Sequence, residues 1–401
     1  MKHRLGFSSL LLLALSSGSA PTALASSQWY VDGVSGSDNN NCKSRQHACK
    51  TIGHAISLAS SGDSVMVAAA TYKENLTVAF SLKVIGASAK TTIIDGGAVN
   101  TVVRIPSAKP HVTLSGLTIQ NGLANYGGGI SNSGTLTINN STITQNHAGP
   151  AIGAGGGGIT NRGTLTMNKS TISGNAVFGG VVGGGGIANA GMLKLNDSTV
   201  SGNTAEGTSM ADGGGISNGG TLTTTIDNST ITGNSVISHS VGNAFGGGVS
   251  NYGSSHKHTL VISNSTLSGN STKAGFTGGI ANFTGNIATL QNSIVANNQT
   301  GNCGGTMTSN GYNLSSDNTC NFKGAGDLNN TDPKLGQLGN YGGHTQTMPL
   351  LFGSPAIDAG NPGGCTNGNG HLLKTDQRGK PRPDKEDTGG CDMGAYERQK
   401  D

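Results

Sequence analysis

Between residues 101 and 316 the chain carries only four acidic residues, Asp197, Glu206, Asp212 and Asp227. Hydrolysis of a glycosidic bond needs two carboxylates facing one another. Elimination needs acidic residues holding calcium beside a base that takes a proton. Glu206 and Asp212 share one variable loop and are the pair such a site would draw on, with Arg162 and Lys169 in the preceding repeats as the nearest bases. The plainer reading of these four is a set of solvated loop, strand and turn residues. Asp197 and Asp227 stand one and two residues before a recurring serine, where other repeats hold Asn or Lys, so turn chemistry accounts for them.

The histidines add little. His256, Lys257 and His258 sit in an inserted loop with His239 in the loop before it, and a polar loop is expected there rather than a metal site. Asp32, Asp38 and Asn40 do not complete a calcium loop. The glycine runs at 155–158 and 183–186 lead into neither Lys-Ser/Thr nor a helix, which excludes a phosphate loop. No metal or other cofactor is expected, and calcium enters only if the chain is a lyase.

Aromatic residues make a second group. Tyr126, Phe245 and Phe276 each stand four residues before one recurring apolar column, and Tyr252 and Phe283 each stand three after it. Rings one repeat apart at loop tips are the candidate ligand-binding residues, a platform on which sugar rings stack. The bland reading has the same rings folded down over a core of small side chains.

These spacings depend on what positions them. Glycine accounts for 68 of 401 residues, with 10 prolines and few aromatics, and no Gly-X-Y period supports collagen. Six segments recur, anchored on Ile130, Ile159, Ile187, Ile216, Val249 and Ile280. A serine column (Ser141, Ser170, Ser198, Ser229, Ser265, Ser293) has apolar residues three and five before it in most repeats, such as Leu136 and Ile138. Another lies two after it, such as Ile143. Period-two alternation means strands with one face inward, so each repeat reads as three short strands separated by Gly or Asn corners. That is one coil of a parallel β-helix. Two asparagine columns, Asn132 to Asn282 and Asn146 to Asn298, read as stacked ladders at corners. The acceptor patterns at Asn140 and Asn228 are explained by turns rather than by glycosylation. Ile52, Ala55, Ile56 and Ala59 fall on one helical face, predicting a helix that covers the first coil.

Met1 to Ala25 has a basic start, an apolar run and an Ala-x-Ala site, the parts of a signal peptide cleaved after Ala25. Without Lys2 and Arg4 the count is 22 basic against 20 acidic residues, too balanced for nucleic acid or an anionic membrane. No segment reads as transmembrane. The six cysteines, in an exported protein, are expected as Cys42–Cys49, Cys303–Cys320 and Cys365–Cys391, although six thiols permit about 15 connectivities.

Trp29-Tyr30-Val31-Asp32-Gly33, Lys50-Thr51-Ile52, Gly62-Asp63-Ser64-Val65 and Thr71-Tyr72-Lys73-Glu74 resemble the opening segment of the pectate-lyase-like superfamily of right-handed parallel β-helices. Gly339-Asn340-Tyr341-Gly342-Gly343-His344-Thr345, Gly353-Ser354-Pro355-Ala356-Ile357-Asp358, Thr375-Asp376-Gln377-Arg378-Gly379 and Cys391-Asp392-Met393-Gly394-Ala395-Tyr396-Glu397 resemble the choice-of-anchor Q domain of secreted bacterial proteins. The resemblance implies bacterial export and a right-handed coil. It implies no activity, since the superfamily mixes lyases, hydrolases, esterases and non-catalytic surface proteins.

The expected fold is therefore all-β: a right-handed parallel β-helix solenoid with an N-terminal capping helix and an irregular disulfide-stapled C-terminal tail. The expected divisions are a signal peptide at 1–25, cap and first coils at 26–110, Gly/Asn-rich repeats at 111–300 and the anchor-Q-like region at 301–401. The expected role is a non-catalytic secreted or cell-surface protein, with the periplasm as a further address, that touches polysaccharide or another surface component as a monomer. The alternative is an extracellular polysaccharide lyase or glycoside hydrolase.

Overall fold

The computed structural model describes residues 26–107, 110–220, 222–253, 257–385 and 390–400; the signal-peptide reading of 1–25 lies outside them. The alternation of the repeats builds three long parallel sheets. The first has eleven strands, beginning with Gln28–Val31 and running through Thr135–Asn139, Thr164–Asn168 and Met192–Asn196. The second has ten, including Thr142–Thr144 and Thr171–Ser173, and the third has nine, including Ile130–Asn132 and Ile159–Asn161. Equivalent positions pair in register: Leu136 with Leu165, Ile143 with Ile172, Ile130 with Ile159. The result is a right-handed parallel β-helix, the hand that parallel crossovers adopt. Its inward Ile, Leu and Val side chains form one continuous core from Trp29 to Phe322.

Corners carry the polar order. In one buried ladder Asn132, Asn161, Asn189, Asn218 and Asn251 each donate Nδ2 to the Oδ1 of the next, ending at Asn282, at 2.7–2.9 Å. A second runs from Asn146 to Asn298 at 2.9–3.0 Å. Asn140 and Asn228 hold left-handed turn positions, at φ 47° and 51°. The glycine runs mark close approach of backbone to backbone. A Cβ on Gly185 would lie 2.5 Å from the Gly214 carbonyl oxygen and from the Thr204 backbone. Gly185→Ala is therefore expected to destabilise the chain by about 2–3 kcal/mol, measured as a lower denaturation midpoint. An unchanged midpoint would mean that the coils can separate at this corner.

The structure departs from three strands per coil. The variable loops are themselves stacked strands, including His147–Ala151, Ala176–Gly183, Thr204–Asp212 and Ser235–Ser238, in a seven-stranded parallel sheet. This lateral sheet has its own core of Ala148, Ala154, Val177, Val182, Ala205, Ala211, Val236 and Ala244. Alanine, valine and glycine at these positions give a weak apolar alternation, so the period was masked.

The predicted helix spans Ile52–Leu58, with the Thr51 side chain accepting from His54 N and with Ile52, Ala55 and Ile56 buried. Glu74 closes its start by accepting from Ile52 N and Gly53 N, both at 2.8 Å. At the other end Cys303–Gly304, Thr308–Ser309 and Leu314–Ser315 extend the three sheets once more. The tail then turns back along the stack. Thr345 Oγ1 donates to the Asp197 carbonyl, Gln377 Nε2 donates to Thr199 Oγ1, and Ala395 N donates to Thr266 Oγ1, each at 3.0 Å. Buried pairs Arg378–Asp376 and Arg382–Glu397 hold the tail together at 2.7 and 2.6 Å. The three disulfides are Cys42–Cys49, Cys303–Cys320 and Cys365–Cys391.

Candidate functional site

Where the third sheet meets the lateral sheet, the surface sinks into a cleft of about 250 Å³. Thr160, Ala188 and Ser217 are the middle residues of three consecutive third-sheet strands and line it, because the Ile and Asn on either side of each point inward. Val182, Met210 and Asp212 come from the lateral sheet, and Tyr126, Arg162 and Tyr252 also line it.

Asp212 is the cleft's carboxylate. It is only 4% exposed, its Oδ1 has no hydrogen-bond partner, and burial pushes it up to about 6, partly offset by Ser217. Gly183 makes room beside it: a Cβ there would meet Asp212 Oδ1 and Ser217 Oγ at 2.9 Å. Arg162 lies over the Tyr126 ring, 5.0 Å from its centroid, a cation–π pair at an exposed site. From Tyr252 the rings continue along the stack: Tyr252 to Phe283 at 5.2 Å, Phe283 to Phe245 at 5.1 Å, and Phe245 to Phe276 at 6.2 Å. They pack on one another, yet Phe276 is 67% exposed, and Tyr126 and Tyr252 about 40%.

The acid–base candidates do not assemble. Glu206 and Asp212 lie on one strand but in different surroundings, since Glu206 is exposed and meets His239 Nε2 at 2.9 Å on another face. Lys169 stands at the corner between the first and second sheets. Asp197 and Asp227 lie beneath the tail, where Asn228 Nδ2 donates to Asp197 at 2.6 Å and Gly368 N donates to Asp227 at 2.9 Å. Burial raises both carboxyls. Asp212 and Arg162 share this cleft, and Asp197 and Asp227 share a separate one with Lys194 under the tail.

Calcium does not fit there, since six to eight oxygen ligands are usual and Asp212 is the one carboxylate of the lining. Among the described residues the one group of three metal-type side chains is Cys42, Cys49 and His54, and its cysteines form a disulfide. The histidine loop also differs from a surface site. His258 is buried and its Nδ1 lies 2.6 Å from the Gly220 carbonyl oxygen, while His256 lies outside the described residues. Asp32 and Asp38 are committed to neighbouring backbone amides and hydroxyls.

Ser217, Thr160, Val182 and Met210 were not singled out from sequence. The only signal for the first two was their place between inward Ile and Asn, which marks them as outward but not as lining a concavity.

No family model and no curated protein matches the chain. A solved structure similar to it is described as the crystal structure of pectate lyase Pel9A, with TM-score 0.48 and 13% identity, over 92% of this chain and 96% of that one.

Proposed function

We propose that the chain is a secreted, non-catalytic β-helix protein that holds a polysaccharide in the cleft and along the ring row. The observation that carries this reading is the continuity of Tyr252, Phe283, Phe245 and Phe276 with a cleft lined by Ser217 and, behind it, the buried Asp212 carboxylate. Rings stack on the apolar faces of sugars, and Ser217, backed by Asp212, bonds their hydroxyls. Three disulfides agree with an oxidising address. Among the described residues no helix is long and apolar enough to cross a membrane. The likeness of the tail to the choice-of-anchor Q domain supports a bacterial cell surface.

Retention on a panel of soluble and insoluble polysaccharides tests it. Phe245→Ala with Phe276→Ala is expected to weaken binding about tenfold, as loss of two stacked rings implies. Unchanged retention by the double variant removes the platform. The second reading, a lyase or hydrolase, rests on Asp212 and Arg162 sharing the cleft and on the elevated Asp212 carboxyl. A screen for unsaturated products and reducing ends decides it, and release of either overturns the non-catalytic proposal.

A further inference from the structure

A different concavity, of about 430 Å³, opens at the corner between the first and second sheets. Three chain segments that are far apart in sequence bring basic side chains to it. Lys90 comes from an early turn, Lys169 from a repeat corner and His344 from the returning tail, with the hydroxyl-bearing Ser88, Thr142 and Thr171 between them. Among the described residues no carboxylate is part of the lining. Both lysines and the histidine are exposed, and among the described residues none of the three has a side-chain hydrogen bond or ion pair. Asp197 feels the charge of Lys169, but that carboxylate is already held by Asn228.

The backbone adds an independent sign. Lys169 occupies a column of left-handed corners in which Gly116, Asn140, Asp197, Asn228, Asn264 and Asn292 stand at other coils. Glycine and asparagine tolerate that region, whereas a long side chain at φ 49° costs of order 1 kcal/mol. Among the described residues the Lys169 side chain makes no hydrogen bond or ion pair that offsets the cost. The tail loop that carries His344 is pinned beside it by Thr345, whose hydroxyl donates to the Asp197 carbonyl at 3.0 Å.

We propose that this corner binds a tetrahedral oxyanion, the sulfate or phosphate ester of an extracellular polymer. A planar carboxylate is best met by the fork of an arginine, while a tetrahedral anion is met by point charges and hydroxyls converging from several directions. Lys90, Lys169 and His344 converge in the second way, and no arginine lines the pocket. The tail completes the site, so the anion is bound only when the tail is docked on the coils.

The test uses the full chain on immobilised dextran sulfate, with inorganic sulfate and inorganic phosphate as competitors in separate arms and polygalacturonate as the carboxylate comparison. The expected result is retention that millimolar oxyanion displaces and that salt weakens. Whichever anion displaces at the lower concentration identifies the ester. Lys90→Ala with Lys169→Ala is expected to weaken retention about tenfold, as loss of two charge-assisted contacts implies. His344→Ala weakens it less, and Lys273→Ala, an exposed lysine on the lateral sheet, leaves it unchanged. All four side chains are exposed, so these variants fold. Retention of the double variant at the parent level, equal retention on polygalacturonate, or displacement by neither anion overturns the proposal.

Discussion

Asp212→Asn is expected to make the protein more stable at pH 8 while weakening its hold on a glycan. Burial raises the Asp212 carboxyl from 3.8 to about 6, so the folded state binds this proton more tightly than the unfolded chain does. The stability that comes with the proton is fully present below pH 3.8 and is lost as pH rises through about 6. Above that range the folded chain holds a buried charge at a cost of about 3 kcal/mol. An amide keeps the shape and removes the charge. The unfolding midpoint of the variant is expected to exceed the parent's by roughly 4 °C at pH 8, taking ~2 cal/mol/K of unfolding entropy per residue. The two should converge near pH 4. Glu397, Asp197, Asp227 and Glu74 also have raised carboxyls, so only the difference between variant and parent isolates Asp212. Parallel midpoint curves across pH 4–8 would show that Asp212 keeps an ordinary carboxyl. A stabilised variant with weakened binding identifies a residue kept at the expense of the fold.

The largest loss is expected from Asn203→Ala. Its Oδ1 accepts from Asn175 N at 3.0 Å and from Asn175 Nδ2 at 2.9 Å, and its Nδ2 donates to Ile172 O at 3.0 Å and to Asn234 Oδ1 at 2.9 Å. The residue is fully buried. Alanine leaves the Asn175 amide without this partner in a place water does not reach, and the other broken bonds add to it. A cost of about 4 kcal/mol follows from ordinary values for orphaned buried groups. Asn196→Ala is the comparison. Its Nδ2 donates to Asn168 Oδ1 at 2.9 Å on the half-open outer face, where water replaces the bond, and under 1 kcal/mol is expected. Because the ladder joins Asn203 to Asn175 in the coil before it and to Asn234 in the coil after it, the damage falls on two neighbouring interfaces. Equal losses for Asn196 and Asn203 would mean that the inner ladder adds nothing beyond its packing.

Most of the stack was legible because its determinants are local and repeated. Leu136 and Ile138, then Ile143, then Ile130 place three strands by period two alone, and the structure pairs each with its counterpart one coil on. The asparagine ladders follow from the same repetition, since a side chain at an equivalent corner meets its own kind. The lateral sheet was less legible. Ala205, Ala211, Val236 and Ala244 bury little area each, and their inward face exists only because neighbouring loops stack.

The candidate site divides in the same way. Tyr126, Phe245, Tyr252, Phe276 and Phe283 were picked by their fixed offset from an apolar column, and an in-register stack turns a shared offset into proximity. Glu206 and Asp212 were paired because they share a loop. On a strand, however, side chains alternate and a bulge shifts the register, so one meets His239 outside while the other is buried beside Ser217. The corner with Lys90, Lys169 and His344 could not be read at all, because its parts are about 250 residues apart at the extremes and meet only through the docked tail.

By itself, then, the sequence determined the coil, its three main sheets, the capping helix and the ladders, all of which rest on short-range periodicity and on pairing with the next repeat. The tertiary structure alone decided the lateral sheet, the path of the tail, the separation of the carboxylates and the placing of Asp212 in a cleft. Those depend on the curvature of the coil and on non-local packing, neither of which a one-dimensional period encodes.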